Sequence, residues 1–381
     1  MAKAKQSEFV VTPWEVKGEV DYNKLIKQFG TEPLTDVLLN RLKKHTKELH
    51  FMLRRKVFFS HRDLKWLLDE YEKGNKFFLY TGRGPSGPIH LGHLLPWVFT
   101  KWLQDKFGAE LWFQFTDDEK FLFSKDENSK LDDYTKWAYE NMLDVIALGF
   151  DPKKTHFLLD TEPKTAGIMY REAVKVAKKL TASTAKAAFG FKDSDNVGRY
   201  WYTSMQAVPA FLPSVLKGKN IPCLIPLAVD QDPHFRVARD IMPKLGFYKP
   251  AVLHAKFLSG LLADGKMSAS IPHSTIYTTD SEKIVEEKIK KHAFSGGRDS
   301  LAEHRKLGGN PDIDVSYQWL YSFFEPDDKK ITKIYNDYKS GKLTTGELKA
   351  YTVQKINAFL KEHQKKREEA KKQLDKFIFR G

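Results

Sequence analysis

The segment from Lys76 to Phe115 constrains the fold most, because strand, turn, helix and strand patterns follow one another within it. The aromatic run that ends at Tyr80 predicts a buried strand, and a glycine-rich turn follows it. Helical periodicity then runs from His90 to Phe107, and Leu111 to Phe115 predicts the next strand. This order is a βαβ unit, which requires a parallel sheet with a right-handed crossover.

The same alternation continues along the chain and then stops. Further strands are predicted at 155–159, 223–229 and 251–257, and further helices at 132–148, 163–180 and 234–245. After about residue 280 only helical patterns remain. We therefore expect an α/β fold with a doubly wound parallel sheet, divided into an N-terminal appendage (1–75), a catalytic domain (76–280) and a C-terminal helical domain (281–381).

Composition excludes several classes of protein. Lys and Arg exceed Asp and Glu by 14, an excess that attracts polyanions. A single cysteine, Cys223, cannot form an internal disulfide or a multi-cysteine zinc site, which indicates a reducing compartment. No apolar stretch reaches the length of a membrane span, and the polar stretch Met1 to Glu8 does not resemble an export signal. We expect a cytoplasmic protein.

The turn after Tyr80 has the features of a phosphate site. Its glycines let the backbone approach a ligand, and the N–H groups of the following helix can bind phosphate. His90 and His93 share one helical face, where imidazole N–H groups can donate to a phosphate or to a phosphoryl transition state. Gly92 leaves room for a flat base. The two histidines could instead bind zinc, although no further ligand with suitable spacing is near, so both interpretations stay open here.

A second chemical segment follows the last predicted strand. Lys266, Ser268 and Ser270 lie together in a loop, and such groups can follow the β- and γ-phosphates as charge builds in a transition state. Alone, Lys266 is best explained as a solvated surface lysine. Its combination with the upstream turn favours a shared triphosphate site.

These two segments resemble the signatures of a known family. His90 to His93 matches the HIGH signature and Lys266 to Ser270 the KMSKS signature of class I aminoacyl-tRNA synthetases, with Ala269 in place of the lysine that many members carry. The similarity is greatest to tryptophanyl-tRNA synthetases of eukaryotic or archaeal type and runs from about Phe9 to about Lys376. Four further matching segments are 81–86, 116–120, 228–233 and 293–299.

The resemblance implies a fold and an activity. It implies a Rossmann-like catalytic domain and a helical anticodon-binding domain. It also implies that ATP activates L-tryptophan to an adenylate, with transfer to tRNA(Trp), and that Mg²⁺ travels with the ATP phosphates rather than in a protein metal site. Members are homodimers. The chemistry requires positioning and electrostatic stabilisation rather than a protein nucleophile.

The resemblance also implies roles for individual residues. Catalysis would involve His90, His93, Lys266, Ser268 and Ser270. ATP would contact Gly82, Arg83, Gly84, Pro85, Gly92, Lys266, Met267 and Ser268. Tryptophan would contact Tyr80, Gln114, Glu119, Gln206 and Gln231. Tyr80 and Gln114 would accept from the indole N–H, which can only donate, and Glu119 would meet the ammonium group.

Some of these residues have simpler explanations. Each glutamine taken singly could be a solvated polar residue. Asp117 and Asp118 could form an acid–base pair, but this reaction needs none, and we expect them to cap the next helix.

Three alternatives remain at this point. A tyrosyl relative shares the fold and chemistry, a small-molecule nucleotidylyltransferase also uses a His-x-Gly-His turn, and a paralogue could bind RNA without catalysis. The region 281–381 has six more basic than acidic residues, which could follow RNA phosphates or form a solvated helix face.

Overall fold

A computed structural model describes residues 10–11, 16–17, 20–262, 267 and 272–381. Its strands are β1 (Val10–Val11), β2 (Val16–Lys17), β3 (Glu32–Pro33), β4 (Phe58–Arg62), β5 (Phe78–Arg83), β6 (Leu111–Phe115), β7 (Thr155–Leu159), β8 (Cys223–Ala228) and β9 (Ala251–Ala255). The helices of the first half are α1 (Tyr22–Phe29), α2 (Asp36–Thr46), α3 (Phe51–Arg54), α4 (Leu64–Glu72), α5 (Leu91–Phe107), α6 (Asp117–Leu122), α7 (Leu131–Ala147) and α8 (Pro163–Ala177). Those of the second half are α9 (Ala182–Phe189), α10 (Val197–Met205), α11 (Leu212–Leu216), α12 (Asp232–Ile241), α13 (Glu282–His292), α14 (Leu301–Leu307), α15 (Val315–Trp319), α16 (Asp328–Lys339) and α17 (Thr345–Ala370).

The central sheet confirms the predicted α/β architecture. Within the described residues its strand order is β3-β4-β9-β8-β5-β6-β7, and the five strands from β9 to β7 are parallel. The chain builds outward from β5 to β6 and β7 on one side, and β8 and β9 lie on the other. The carboxyl end of β5 is therefore the switch point, where open α/β sheets bind their ligands.

The first part of the chain adds to this sheet, which the sequence did not predict. β4 pairs antiparallel with β9, Arg62 lying opposite Val252, and β3 pairs with β4. The sequence from Leu34 to Leu53 predicted helices, and α2 and α3 lie there. The short strand β4 follows them, and no residue pattern near it indicates that it pairs with β9. Part of the predicted appendage is thus an edge of the catalytic sheet.

Helices cover both faces of the sheet, as a doubly wound fold requires. One buried apolar cluster joins α2, α5 and α7 to the C-terminal helices, from Leu38 through Phe113 to Ile356. A second cluster packs α8, α10 and α12 against the other face. In the C-terminal region, the buried Trp319 indole N–H donates to the carbonyl of Ser259 at 2.9 Å. No helix in the described ranges is long and apolar enough to cross a membrane.

A buried carboxylate ties the edge strand to the wall of the switch point. Asp232, the first residue of α12, is fully buried and accepts two hydrogen bonds from the Arg62 guanidinium, both 2.8 Å long. The Nε2 of His254 lies 2.9 Å from the same carboxylate. Burial would raise the pKa of Asp232, but Arg62 and His254 outweigh burial and lower it. Arg62 also donates to the carbonyls of Phe29 and Gly30 at the end of α1.

Removing Arg62 is expected to destabilise the protein strongly. The Arg62→Leu variant leaves the buried Asp232 carboxylate without its main partner. The free energy of unfolding, measured by denaturant titration, should fall by about 3–5 kcal/mol. The folded pKa of Asp232 is depressed, so its contribution is present above the unfolded pKa, about 4, and is lost as the pH falls below it. The control Lys366→Ala breaks an exposed pair with Glu362 and should leave stability nearly unchanged. Equal stability of the two variants would contradict this role.

Candidate active site

A cavity of about 290 Å³ opens at the carboxyl ends of β5, β6 and β8. Close backbone packing forms its floor. A Cβ added to Gly82 would lie 2.9 Å from the backbone oxygen of Gln114 on β6, and one added to Gly84 would lie 1.9 Å from the Lys120 side chain. The backbone contact at Gly82 therefore favours glycine there, whereas the flexible end of Lys120 could move away from a side chain at Gly84.

The His-x-Gly-His segment forms the first turn of α5. His90 is the N-cap residue, and its backbone N–H donates to the Nδ1 of His93 at 3.2 Å. The two imidazole rings stack, with centroids 3.5 Å apart. Gly92 keeps this surface open, because a Cβ there would lie 3.1 Å from the His90 ring and 3.5 Å from the Cβ of Met267.

The residues on either side of the second segment, and Met267 within it, lie at this turn. Leu261 and Ser274, which flank the loop, are joined by a backbone hydrogen bond of 2.9 Å. The chain beyond the loop then bonds to the turn before α5, through Leu91 N–H to the carbonyl of Ile276 at 3.0 Å and Thr278 N–H to that of Ile89 at 2.9 Å. Met267 is buried in the cavity wall. Met267, the described residue of the second stretch, thus lies in the same cleft as the His-x-Gly-His segment.

Most of the predicted site residues line this cavity. They are Tyr80, Gly82, Arg83, Gly84, His90, Gly92, His93, Gln114, Glu119, Gln206, Gln231 and Met267. Pro85 is buried and is not part of the cavity wall. Lys266, Ser268 and Ser270 lie outside the described residues.

A hydrogen-bonded network lies at the inner end of the cavity. The Tyr80 hydroxyl donates to the Oε1 of Gln114 at 2.6 Å and accepts from the Nε2 of Gln206 at 2.6 Å. The Nε2 of Gln206 also approaches the Gln114 oxygen at 3.1 Å, and the Tyr202 hydroxyl donates to the Gln206 oxygen. Tyr80, Gln114 and Tyr202 are buried, and burial raises the pKa of both phenols well above the usual value. They therefore stay neutral, and the Gln114 and Tyr80 oxygens can accept from a ligand N–H.

A carboxylate and several cations lie around this network. Glu119 forms an ion pair with Lys120 at 2.8 Å and accepts from the Thr116 hydroxyl at 2.7 Å. Burial would raise the pKa of Glu119, but these partners outweigh it and lower the pKa, so the group is ionised at neutral pH. Arg83 donates to Asn141 at 3.2 Å, and burial lowers its pKa to about 10, which still leaves it charged. An ammonium group and a polyanion would both find a complementary charge here.

The sequence predicted that Asp117 and Asp118 cap the next helix, which is wrong: they are the first two residues inside α6, its N-cap residue is Thr116, and no side chain caps it. Asp117 accepts from the hydroxyl of Thr135 at 2.8 Å and from the hydroxyl and backbone N–H of Thr161. Asp117 and Asp118 also accept the N–H groups of the residues that follow them, at the start of α6.

Within the described part of the chain, no three His, Cys, Asp or Glu side chains are grouped so that they could hold a metal ion.

Sequence reasoning did not single out Asp160, which contacts Gln114 in the cavity wall, or Lys256, which lines the cavity. Asp160 is buried beside Gln114 and directly follows β7, so its place after a parallel strand was a usable signal. Lys256 directly follows β9 and lines the cavity with its ammonium 5.2 Å from the Tyr22 ring centroid. Burial, together with the charge of Lys56, lowers the pKa of Lys256. No local pattern around Lys256 distinguishes it from a surface lysine.

Comparison with known proteins agrees with the geometry. A family model of class I tRNA synthetases (W and Y) matches residues 72–361. The tryptophan–tRNA ligase of Sulfurisphaera tokodaii is 54% identical over 376 residues, covering 98% of this chain and 96% of the relative. The solved tryptophanyl-tRNA synthetase of Encephalitozoon cuniculi, bound to tryptophan, is 37% identical with a TM-score of 0.86, covering 96% of this chain and 99% of that one. That of Aeropyrum pernix is 30% identical with a TM-score of 0.85, covering 95% and 97%.

Proposed function

The chain belongs to the class I tRNA synthetases for tryptophan and tyrosine, and we infer that it acts as a tryptophan–tRNA ligase, which uses ATP to join L-tryptophan to tRNA(Trp). One observation in the structure carries this inference: buried acceptor oxygens of Tyr80 and Gln114 lie in the same cavity as the helix N-terminus at His90. An indole N–H fits the acceptors, and a triphosphate fits the helix end. The relatives favour tryptophan over the tyrosyl and nucleotidylyltransferase alternatives.

The reaction follows from bringing the two substrates together. A carboxylate oxygen of tryptophan attacks the α-phosphorus of ATP, the bond from that phosphorus to the β-phosphate oxygen breaks, and pyrophosphate leaves. A tRNA hydroxyl then attacks the acyl carbon and releases AMP. Because the substrate is itself the nucleophile, the protein contributes orientation and charge stabilisation.

We propose the following roles at the phosphate end. His90 and His93 donate to the α-phosphate, and Gly82, Arg83, Gly84, Gly92 and Met267 line the ATP site, whereas the buried Pro85 is part of the turn without lining the cavity. The pyrophosphate is stabilised as it leaves by contacts with Lys266, Ser268 and Ser270. Mg²⁺ enters with ATP and is carried by its phosphates, since the cavity wall offers cations and N–H groups rather than a cluster of carboxylates.

At the tryptophan end we propose that Tyr80 and Gln114 accept from the indole N–H. Glu119 binds the ammonium group and Gln231 lies near the polar end of the amino acid, whereas Gln206, whose amide contacts the Tyr80 and Gln114 oxygens, lies at the indole end. The ionised state of Glu119 and its place in the cavity wall support this role.

The remaining assignments concern the whole molecule. We propose that region 281–381 reads the anticodon and that region 76–280 is the catalytic domain, with residues 1–75 as an N-terminal extension whose strands β3 and β4 add to the catalytic sheet. We further propose a cytoplasmic homodimer. Apolar side chains exposed on α8 and α10, namely Tyr170, Val174 and Val197, support a second copy as the partner. Light scattering should give twice the mass of one chain, and a monomer would contradict the proposal.

An exchange assay tests the proposed function directly. The protein should exchange labelled pyrophosphate into ATP when tryptophan is present, and should charge tRNA(Trp) with tryptophan. Exchange that depends on tyrosine alone would make the protein a tyrosyl relative. Binding of tRNA without any exchange would leave only the non-catalytic alternative.

Lys266 is expected to act in the chemical step. Its contact should strengthen as charge builds on the leaving pyrophosphate, so Lys266→Ala should slow adenylate formation by at least about 10-fold and leave tryptophan affinity unchanged. Single-turnover kinetics and equilibrium binding separate the two quantities. The control Lys244→Ala removes an exposed lysine and should have no effect. Weaker tryptophan binding without a loss of rate would contradict the assignment.

A further inference from the structure

Asp160 is a buried carboxyl group, hydrogen-bonded to Gln114 in the cavity wall, that the proposed mechanism does not use. It follows β7 directly and is 2% exposed. The side-chain amide nitrogen of Gln114 donates to it, with distances of 2.9 Å to Oδ1 and 2.8 Å to Oδ2. The Asp160 carboxyl group therefore faces the nitrogen of the Gln114 amide, the end that can only donate hydrogen bonds.

This contact sets the direction of the hydrogen bonds beyond it. With its nitrogen toward Asp160, Gln114 turns its oxygen toward the Tyr80 hydroxyl, which donates to that oxygen at 2.6 Å. The Tyr80 proton is then occupied, so the phenol oxygen can only accept from a third group, as it does from Gln206 at 2.6 Å. If the Gln114 amide were reversed, its N–H groups would face the donors of Tyr80 and Gln206, and its oxygen would face the Asp160 carboxyl group.

The Gln206 amide shows that an N–H donor fits these two acceptors. Its nitrogen lies 2.6 Å from the Tyr80 oxygen and 3.1 Å from the Gln114 oxygen. An indole N–H is a donor of the same kind. The geometry that accepts Gln206 is the geometry that tryptophan requires.

Asp118 is a second group that interacts with the Asp160 carboxyl group. Asp118 lies close enough to Asp160 for the two buried carboxyl groups to share one proton, and it also accepts the N–H of Glu119 at 2.7 Å. Burial raises the pKa of Asp160 well above its usual value and that of Asp118 to about 7. A proton on Asp160 directed at Asp118 leaves Asp160 free to accept from Gln114.

We propose that Asp160 is a positioning residue for amino-acid selection, which holds the Gln114 amide so that the Gln114 and Tyr80 oxygens face the cavity as acceptors for an indole N–H. The proposal rests on the proposed function, because it concerns the same tryptophan site. Asp160 acts through Gln114 and needs no contact with the substrate.

The test compares two substrates that differ in one donor. β-(3-Benzothienyl)-L-alanine has the shape of tryptophan but carries sulfur in place of the ring N–H. The readout is the ratio of kcat/KM for tryptophan to kcat/KM for this analogue in pyrophosphate exchange. A merely structural role for Asp160 would lower both values equally and leave the ratio unchanged.

Three variants of the full chain are compared with wild type. Asp160→Leu removes the acceptor, frees the Gln114 amide to turn over, and should lower the ratio by about 10-fold. Asp160→Asn can accept from Gln114 and donate to Asp118, as the protonated acid does, and should keep the ratio within about twofold. In Gln114→Ala, where the amide is absent, adding Asp160→Leu should produce no further fall.

The outcomes separate this proposal from the proposed function. An unchanged ratio in a folded Asp160→Leu variant, an equal further fall in the Gln114→Ala background, or a 10-fold loss with Asp160→Asn would each overturn the role of Asp160. If the leucine variant does not fold, Asp160→Ser, whose shorter side chain withdraws the acceptor, replaces it with the same criteria. Failure of wild type to use tryptophan would instead overturn the proposed function.

Discussion

Replacement of Gln114 by alanine is expected to remove most of the preference for the indole N–H. The Gln114 oxygen is a buried acceptor in the cavity, and a ligand that cannot donate leaves such an acceptor unpaired. A buried unpaired polar group costs about 1–3 kcal/mol, so the preference for tryptophan over its benzothienyl analogue should fall by about 10- to 100-fold. Discrimination against phenylalanine should fall as well.

The control for this variant is another glutamine replaced by alanine. Gln318 donates to the carbonyl of Asp312 in the C-terminal region and does not line the cavity. Gln318→Ala should leave both selectivity ratios at their wild-type values. Unchanged selectivity in Gln114→Ala would remove Gln114 from the tryptophan site, and a loss confined to kcat for all substrates would make its role structural.

Filling the space at Gly92 is expected to block ATP. A Cβ at this position already lies 3.1 Å from the His90 ring and 3.5 Å from Met267, so the methyl groups of valine would occupy the opening between the two segments. We expect Gly92→Val to lower kcat/KM for ATP by about 10²-fold or more, because small displacements of a reacting group have effects of this size. Tryptophan affinity, measured calorimetrically without ATP, should remain within about twofold of wild type, since the indole acceptors lie elsewhere in the cavity.

A second glycine provides the matched control. Gly167 lies in α8, and a Cβ there meets no atom within 4 Å. Gly167→Val should leave the ATP dependence unchanged. A normal ATP dependence in Gly92→Val would show that the nucleotide does not pass over the start of α5.

The sequence predicted the parallel strands well because each is a short, mostly apolar run that crosses a buried sheet. β6 and β7 begin and end at the predicted residues. The helix after the glycine turn was predicted at His90 to Phe107 and is observed from Leu91 to Phe107. It ends there because Gly108 adopts the left-handed conformation, with φ of 59°.

Elements that depend on distant partners were missed. β4 is defined by its antiparallel pairing with β9, which lies nearly two hundred positions later in the chain. No sequence pattern near Phe58 indicates this partner. The short helices α9 and α10 were not predicted either, although Gln206, a proposed tryptophan contact, directly follows α10. α9 and α10 pack against each other, and they also pack against α12 and α8, so tertiary packing rather than local propensity fixes them.

The site shows the same division. Tyr80 and Gln114 could be found from the resemblance, and the structure puts them in direct contact, but the prediction that the strand ends at Tyr80 was wrong, because β5 continues to Arg83. Asp160 directly follows β7 but was not identified, because an aspartate after a strand is usually a helix cap. Its burial becomes meaningful only with Gln114 and Asp118, which come from β6 and the start of α6.

A structure with tryptophan and a non-hydrolysable ATP analogue is the most direct test of the account. It should show the indole nitrogen within hydrogen-bond distance of the Gln114 or Tyr80 oxygen. The α-phosphate should lie against the start of α5, between the histidines and the loop that contains Met267. Tryptophan bound outside this cavity, or a triphosphate that contacts only one of the two segments, would contradict it.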